Sequence, residues 1–163
     1  MKKIYIAGPD VFEKNSLEIG EKYVKLCKKY GFIGLYPLDN KIDFNQDKQK
    51  IAQDIFKANK KLIEKCDIVI ANLNSFRGKE SDSGTVWECG YAFGLNKKVF
   101  GYINSNRSYL EQFQSKEIKI ENNIYYDLNN KAIENFNYPL NLMLSCSLNE
   151  IIIGDFEKVL SVL

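Results

Sequence analysis

The sequence predicts an α/β protein built as a doubly wound sheet of about five parallel strands with helices on both faces. Short β-rich runs alternate with helical stretches along the chain. In addition, D-I-V-I-A-N-L at residues 67–73 is apolar on both faces, as a central parallel strand should be. A length of 163 residues suits one domain, residues 1–163, around a single core.

The first half of the chain alternates strand-like with helical runs. The strand-like runs are short and are closed by turn residues such as Gly8, Pro9 and Pro37. The helical runs carry apolar residues at three- and four-residue steps, and Leu17 and Ile55 belong to the apolar stripes that this spacing forms. In order, the predicted elements are a strand at 3–7, a helix at 16–30, a strand at 32–36, a helix at 47–65 and a strand at 67–73.

The second half of the chain is less regular. A helix follows Asp82 and holds Glu88, and K-V-F-G-Y at residues 98–102 is typical of a fourth strand. Residues 104–137 are rich in Asn, Lys and Tyr, which predicts a loop with short elements that is mobile or builds an oligomer contact. The last predicted elements are a helix at 141–145, a strand at 151–153 and a helix at 155–163.

Composition excludes several classes of function. The chain has no histidine, which excludes Ser-His-Asp and Cys-His nucleophilic sites. Its four cysteines form no C-x-x-C pair, and neither G-x-G-x-x-G nor a P-loop motif occurs, so no metal and no cofactor are expected. The net charge of +2 gives no electrostatic case for nucleic acid or membrane as a partner. No signal-peptide pattern opens the sequence, and a cytoplasmic protein is expected.

Polar and aromatic residues follow the predicted strands at the edge where doubly wound sheets bind ligands. Gly8 and Phe12 follow the first strand, Asp39 the second and Asn72 the third. Gly8 lets the backbone approach a ligand, and Phe12 can stack on a planar base. The alternative is that Gly-Pro and Pro-x-Asp-Asn are ordinary turn sequences.

Glu88 is a charged residue within the small, aromatic segment S-D-S-G-T-V-W-E-C-G-Y-A-F-G at residues 81–94. An unpaired buried carboxylate costs several kcal/mol, so Glu88 lies either at a wet end or in a functional site. One interpretation is a capping box, Thr85-x-x-Glu88, in which a first-turn glutamate bonds back to the N-cap amide. The other is a nucleophile that the helix dipole keeps ionised. Spacing alone does not separate them.

Several motifs occur in an order and spacing that is more specific than any one of them. They are I-Y-I-A-G-P-D-V-F at the start, P-L-D-N at 37–40, N-K-K-L-I-E-K-C-D-I-V-I-A-N-L at 59–73, F-R-G-K-E-S-D-S-G-T-V-W-E-C-G-Y-A-F-G at 76–94 and Y-P-L-N-L-M-L at 138–144. In this the chain resembles the nucleoside 2-deoxyribosyltransferases. The resemblance implies a flavodoxin-like fold and transfer of a 2-deoxyribosyl group between nucleobases through a covalent glycosyl-enzyme ester.

The resemblance also implies roles for residues around the predicted site. Glu88 is the nucleophile, Tyr5 holds its carboxylate, and Asp82 lies near the base and sugar. Asn59 stands at a position near the base where some family members have aspartate. An amide cannot act as an acid, so protonation of the leaving base would fall to Asp82, Asp39 or water.

A second part of the site is implied to come from a neighbouring subunit. The asparagine of the N-L-M motif, here Asn141, reaches the sugar 5′-hydroxyl of the neighbour, with Met143 beside it. The expected protein is therefore a homo-oligomer with shared active sites, acting on small 2′-deoxynucleosides and free nucleobases.

Substrate and activity are open to more than one interpretation. Unphosphorylated deoxynucleosides are expected, because residues 8–12 offer no phosphate-binding cluster. A preference for purine bases is implied by resemblance, since the combination of G-P-x-V-F, F-R-G and Asn59 is similar to that of the family branch that favours purines. The alternatives are an N-glycoside hydrolase of deoxynucleosides or their monophosphates, and a non-catalytic nucleoside-sensing module. The complete set of Tyr5, Asp82, Glu88 and Asn141 weighs against the sensing module.

Overall fold

A computed structural model describes residues 1–37 and 42–163 of the chain. Its strands pair into one five-stranded parallel sheet and one separate antiparallel hairpin. In chain order the strands are β1 (Lys3–Ala7), β2 (Ile33–Leu35), β3 (Ile68–Asn72), β4 (Lys98–Ile103), β5 (Lys119–Glu121), β6 (Ile124–Tyr126) and β7 (Glu150–Ile153). The sheet has the order β2-β1-β3-β4-β7, and β5 pairs with β6.

Helices cover both faces of the sheet. They are α1 (Ser16–Lys29), α2 (Lys48–Lys65), α3 (Ser83–Gly94), α4 (Leu142–Ser147) and α5 (Phe156–Leu160). Side chains of α2, α3 and α4 share one core cluster with Tyr5, whereas those of α1 and α5 share a second cluster with Ile4 on the opposite face. The predicted doubly wound α/β fold is confirmed, and most of the predicted elements lie within a few residues of the observed ones.

The strand order reverses between β1 and β3. The chain passes from β1 outward to β2 and then returns to the other side of β1, where β3 pairs with it in parallel from Ile4↔Ile68 to Ala7↔Ala71. β1 and β3 are almost entirely buried because each has a neighbouring strand on both edges and helices on both faces. Connections that leave these two strands in opposite directions open a crevice at their carboxyl ends.

Residues 104–137 form an excursion beyond β4, built from short elements as expected. It contains the 3-10 turns Leu110–Gln112 and Ser115–Glu117 and the hairpin of β5 and β6. Lys79 ties this excursion to the loop before α3, because its ammonium group donates to the Gln112 carbonyl at 3.2 Å and lies 3.3 Å from the Glu117 carboxylate. Whether the excursion contributes to an oligomer contact stays a prediction. Among the described residues, no helix combines the length and apolar character needed to cross a bilayer.

Two apolar residues of the predicted helical stripes lie away from the core. Leu17 is 66% exposed and Ile55 is 38% exposed. Both line the cavity described below, since the first turn of α1 and the middle of α2 flank the crevice. Helical periodicity marks an apolar stripe without showing whether its partner is the sheet or a cavity.

Candidate active site

Asp82 is the N-cap residue of helix α3. The Asp82 Oδ2 atom accepts hydrogen bonds from the Thr85 backbone N–H and from the Thr85 hydroxyl, each at 2.9 Å. Glu88 consequently lies beyond the first turn of the helix, out of reach of the N-cap amide. The capping-box interpretation of Thr85-x-x-Glu88 is wrong, because the cap is formed three residues earlier in the sequence.

Glu88 is bonded to the sheet. The Tyr5 hydroxyl donates a hydrogen bond to Glu88 Oε1 at 2.6 Å across 83 residues of sequence. Tyr5 is fully buried in β1, which has β2 on one edge and β3 on the other, so its ring has little freedom to move. The bond fixes one oxygen of a partly buried carboxylate, while no described residue donates to the other oxygen, Oε2.

The surroundings of Glu88 favour its neutral form more than those of an exposed glutamate. Burial raises the pKa of Glu88, the hydrogen bond from Tyr5 lowers it, and the Asp82 carboxylate raises it by a smaller amount; together they bring the pKa to about 7. The helix dipole contributes little to this pKa, since its effect fades beyond the first turn, and burial is the largest cause of the shift. Burial and the Glu88 carboxylate raise the pKa of Tyr5 far above its ordinary value, so Tyr5 remains a protonated donor.

A cavity of about 500 Å³ opens above Glu88. Its volume is that of a site for a small organic molecule. Its polar side chains among the described residues are those of Asn59, Asp82, Thr85 and Glu88, and no described lysine or arginine lines it. The remaining wall is formed by Gly8, Val11, Phe12, Leu17, Pro37, Ile42, Phe44, Ile55 and Gly84. The described part of the wall therefore offers mainly apolar contacts to a ligand.

The cavity brings together most of the residues that the sequence predicts for the site. Gly8 and Phe12 reach it from the segment after β1, Asn59 from α2, and Asp82 and Glu88 from the start and middle of α3. Tyr5 joins them through its bond to Glu88. Asp39, the other predicted binding residue of this region, falls outside the described residues.

Asn141 and Met143 do not belong to this cavity within one chain. They line a second cavity of about 560 Å³ on the other side of α3, where Val86, Gly90 and Phe93 lie. Asn141 caps α4: its Oδ1 accepts from the Met143 N–H at 2.9 Å and its Nδ2 donates to Glu134 Oε1 at 2.7 Å. Within one chain, Asn141 and Glu88 therefore line different cavities.

Sequence analysis missed several residues of the site. Phe44 follows an undistinguished loop sequence and is 70% exposed at the cavity, so nothing in the pattern around it indicates a binding wall. The capping-box interpretation makes Thr85 the N-cap residue. In the structure, Thr85 instead donates hydrogen bonds to the N-cap residue Asp82, and it lines the cavity. The spacing D-x-x-T was the available signal, since an N-cap aspartate bonds to the third residue of its helix. No cluster of three or more potential metal ligands occurs among the described residues.

The fold and the site define a class of α/β protein in which a tyrosine holds a carboxylate at an apolar cavity. This arrangement is suited to chemistry at a glycosidic carbon. A family model described as nucleoside 2-deoxyribosyltransferase matches residues 4–143. The chain therefore belongs to the nucleoside 2-deoxyribosyltransferase family.

Individual relatives agree with the family. The chain is 31% identical to a 2-deoxyribosyltransferase from Leishmania mexicana, with a TM-score of 0.76 over 99% of this chain and 96% of that one. A 2-deoxyribosyltransferase from Bacillus psychrosaccharolyticus is 21% identical with a TM-score of 0.61, covering 96% and 89% of the two chains, and shares the fold. An uncharacterised protein of Schizosaccharomyces pombe is 30% identical over 115 residues, which are 69% of this chain and 54% of that protein. The chain thus spans about half the length of that curated relative.

Proposed function

We propose that the protein exchanges the nucleobase of 2′-deoxyribonucleosides through a covalent deoxyribosyl ester on Glu88. The observation that carries this proposal is the 2.6 Å hydrogen bond from buried Tyr5 to Glu88 Oε1, at a carboxylate that lines an apolar cavity of about 500 Å³. The bond orients the carboxylate and leaves Oε2 as the attacking atom. A positioned carboxylate can both stabilise an oxocarbenium-like transition state and capture it.

In the first half-reaction, Glu88 Oε2 forms a bond to C1′ of the sugar. The glycosidic C1′–N bond breaks, and its electron pair stays on the nitrogen of the departing base. That nitrogen takes a proton, which Asp82 or a water molecule delivers. Asp82 Oδ2 is engaged in capping α3, whereas no described residue donates to Oδ1, so Oδ1 is the oxygen oriented to act on the base.

In the second half-reaction, the nitrogen of another base attacks C1′ from the side that the first base has left. The ester bond breaks, Glu88 regains its carboxylate, and the proton of the attacking nitrogen passes to Asp82 or to water, which restores the proton used in the first half-reaction. Two displacements at the same carbon return the original anomeric configuration, and the enzyme alternates between a free and a glycosylated form. Ping-pong kinetics are expected. A 2′-hydroxyl would withdraw electrons from the cationic carbon, which favours deoxy substrates.

The preferred substrates are unphosphorylated deoxynucleosides, with purines favoured over pyrimidines. The apolar wall and the absence of a described lysine or arginine in the cavity support the first part. Asn59 on the wall supports the second, because its amide can both donate to and accept from the mixed edge of a purine. The same amide can also form hydrogen bonds with a pyrimidine, so the preference for purines over pyrimidines is expected to be about 10–200-fold in kcat/KM.

The working form is a homo-oligomer in which Asn141 and Met143 of one chain complete the cavity of a neighbour. Large apolar side chains beside α3 support it, since Phe93 is 55% exposed and Met143 is 72% exposed. Such side chains are typical of surfaces that another protein covers. The neighbour's Asn141 would bind the sugar 5′-hydroxyl while Glu88 acts on C1′.

Incubation with deoxyinosine and adenine, followed by chromatography, tests the proposed activity. Formation of deoxyadenosine and hypoxanthine in equal amounts is expected. Release of free deoxyribose at the same rate with and without adenine would instead identify an N-glycoside hydrolase, and binding without turnover a sensing module. Comparison of kcat/KM for deoxyadenosine, deoxyinosine, thymidine and deoxyadenosine monophosphate tests the base and phosphate preferences. A monophosphate that outperforms deoxyadenosine would contradict the unphosphorylated substrate class.

A further inference from the structure

The wall of the cavity next to β1 is a short turn with little hydrophobic burial. The 3-10 turn Pro9–Phe12 contains no fully buried residue; Val11 packs, partly buried, against the core cluster of Ile4, and Phe12, which lines the cavity, is 59% exposed. A surface turn with little buried apolar area is ordinarily mobile. Polar contacts are therefore expected to contribute to the position of Phe12.

Asp10, within this turn, supplies those contacts. Its Oδ1 accepts a hydrogen bond from the Tyr23 hydroxyl of α1 at 3.2 Å, and its Oδ2 accepts one from Asn72 Nδ2 at the end of β3 at 3.0 Å. The Tyr102 hydroxyl lies 3.4 Å from that of Tyr23 and is placed to donate to it. One carboxylate thereby ties the turn to a helix on one face of the sheet and to the neighbouring strand.

The partner of Asp10 on β3 is itself held in a fixed orientation. Asn72 Oδ1 accepts from the Asn74 side-chain amide at 2.8 Å and from the Asn74 backbone N–H at 3.2 Å. Asn74 Oδ1 in turn accepts from the Asn104 backbone N–H, beyond β4, at 2.8 Å. These bonds direct the Asn72 Nδ2 donor towards Asp10, so the anchor extends across the carboxyl edge of three adjacent strands.

The carboxylate also packs directly against the backbone of the cavity wall. A Cβ atom added at Gly8 would lie 2.6 Å from Asp10 Oδ2 and 2.8 Å from Asn72 Cβ, closer than van der Waals contact allows. Gly8 and Phe12 both line the cavity, whereas Asp10 is not one of its lining residues. Movement of the Asp10 side chain is thus transmitted to the wall without direct contact between Asp10 and a ligand.

The geometry points to Asp10 as a positioning residue. By holding Phe12 at the cavity wall, Asp10 sets the affinity of the cavity for a nucleobase. The inference rests on the proposed function for the identity of the ligand. Phe12 is braced on its other side by a stacked ring, since the Phe76 ring lies 5.4 Å away at 17° and the Arg77 guanidinium covers both. Without Asp10, the turn keeps that surface contact but loses both of its bonds to the sheet and to α1.

A double-mutant cycle between Asp10 and Phe12 tests the inference. Adenine binding is measured by calorimetry in a Glu88→Gln background, which cannot turn over, and kcat and KM are measured with Glu88 present. We expect Asp10→Ala to weaken adenine binding and raise KM about 10-fold with little change in kcat. In a Phe12→Ala background, the same substitution should add less than about 2-fold, because the residue through which it acts is already gone.

The conservative variant separates geometry from charge. In Asp10→Asn, the amide oxygen can accept from Asn72 while the amide nitrogen donates to the Tyr23 hydroxyl, so adenine affinity should stay within about 3-fold of that of the parent. If Asp10→Ala does not fold, Tyr23→Phe decides, since it removes one of the two bonds and should weaken adenine binding by about 3-fold.

Unchanged adenine affinity in Asp10→Ala would overturn the inference, as would unchanged affinity in Tyr23→Phe where Asp10→Ala is unfolded. An equal loss of affinity with and without Phe12 would also overturn it, and so would a folded Asp10→Asn protein that binds adenine as weakly as Asp10→Ala. The same holds if the Glu88→Gln protein does not bind adenine. An absence of base exchange in the unmodified protein would contradict the proposed function instead. Binding in the Glu88→Gln background would still report the effect of Asp10 in that case.

Discussion

The two sides of helix α3 differ in how far one chain completes them. On one side Glu88 is bonded to Tyr5, and Asp82 to its own helix, at a cavity walled by the same chain. On the other side Gly90, Phe93 and Met143 are exposed. The difference teaches that the proposed nucleophile is positioned by contacts within the chain, whereas Asn141 and Met143, which we propose to serve a neighbouring site, lie on a side of α3 that this chain leaves exposed.

The two sides also differ in what holds their polar residues. Glu88 depends on a strand buried at the centre of the sheet, with Tyr5 fully inaccessible to solvent. Asn141 depends on one neighbour in the surface loop before α4, because its amide donates to Glu134 at 2.7 Å. Substitutions at Glu88 should therefore affect catalysis far more than stability, while those at Asn141 need a control for the stability of α4.

The largest expected effect is the loss of activity on substitution of Glu88. Glu88→Gln and Glu88→Ala should fold normally and lose base exchange by roughly 10⁴- to 10⁶-fold, because no other carboxylate occupies the position of the nucleophile. Steady-state rates and thermal unfolding measure the two properties separately. Glu121→Gln, on the exposed hairpin of β5 and β6, is the matched control and should leave activity unchanged. Turnover retained in Glu88→Gln would reject the assignment.

Complementation between chains sharpens the comparison of the two sides. Glu88→Ala chains mixed with Asn141→Ser chains should regain activity, since some mixed sites receive Glu88 from one chain and Asn141 from the other. Serine retains an N-cap oxygen for α4, which limits the loss of stability. In a two-fold dimer with free exchange, about one quarter of the sites are restored.

Two controls accompany the mixing experiment. Glu88→Ala mixed with Glu88→Gln should stay inactive, and exchange of subunits is followed by energy transfer between labelled chains. Exchange without recovery of activity, or a fully active monomer by sedimentation, would contradict the shared site and leave the exposed side of α3 without a role in catalysis.

Removal of the Tyr5 hydroxyl should have a smaller effect on rate with a characteristic pH dependence. Burial raises the pKa of Glu88 and the hydrogen bond from Tyr5 lowers it, and the resulting pKa is about 7. Tyr5→Phe should therefore move the acid limb of the kcat/KM profile to higher pH and reduce kcat/KM at pH 7 by about 10-fold, with partial recovery in alkali. Tyr91→Phe, which breaks a similar bond to exposed Glu64, is the control. An unshifted profile would contradict the role of Tyr5.

The smallest expected effect is on stability. The folded protein keeps a proton on Glu88 up to a pKa of about 7, whereas an ordinary glutamate loses it near 4.5. This contribution is complete below the lower value and is lost as pH rises through the higher one. Relative to Glu88→Gln, the wild-type protein should lose about 1–2 kcal/mol of unfolding free energy over that interval, allowing for partial exposure. Denaturant titrations at several pH values measure the difference, and parallel pH curves would contradict the raised pKa.

The sequence was most informative where local pattern and burial coincide. The run at residues 67–73 is apolar on both faces because β3 has neighbours on all sides, so its place at the centre of the sheet could be predicted. Glu88 was conspicuous for the opposite reason, as a charge among small and aromatic residues. Both features depend on interactions that leave a visible mark on residue type.

Other parts of the site leave no such mark. Asp10 and Asn72 look like turn and strand-end residues, and their hydrogen bond spans 62 residues of sequence. Leu17 and Ile55 follow helical periodicity whether they meet a sheet or a cavity. The pKa of Glu88 depends on its burial and on the hydrogen bond from Tyr5, and neither of these can be read from the spacing of residues in the sequence. These properties arise from tertiary placement, so sequence pattern alone could not supply them.

The central claim, that Glu88 carries the sugar during transfer, is tested most directly by trapping the intermediate. The protein is mixed with deoxyinosine in the absence of any acceptor base, quenched in acid within milliseconds to seconds, and examined by mass spectrometry of the whole chain and of its peptides. We predict a mass increase equal to one deoxyribosyl group, located on Glu88, that disappears when adenine is added before the quench and is absent from Glu88→Gln. An adduct on another residue, or an unmodified chain under conditions in which base exchange proceeds through a kinetically demonstrated ping-pong cycle, would contradict the claim.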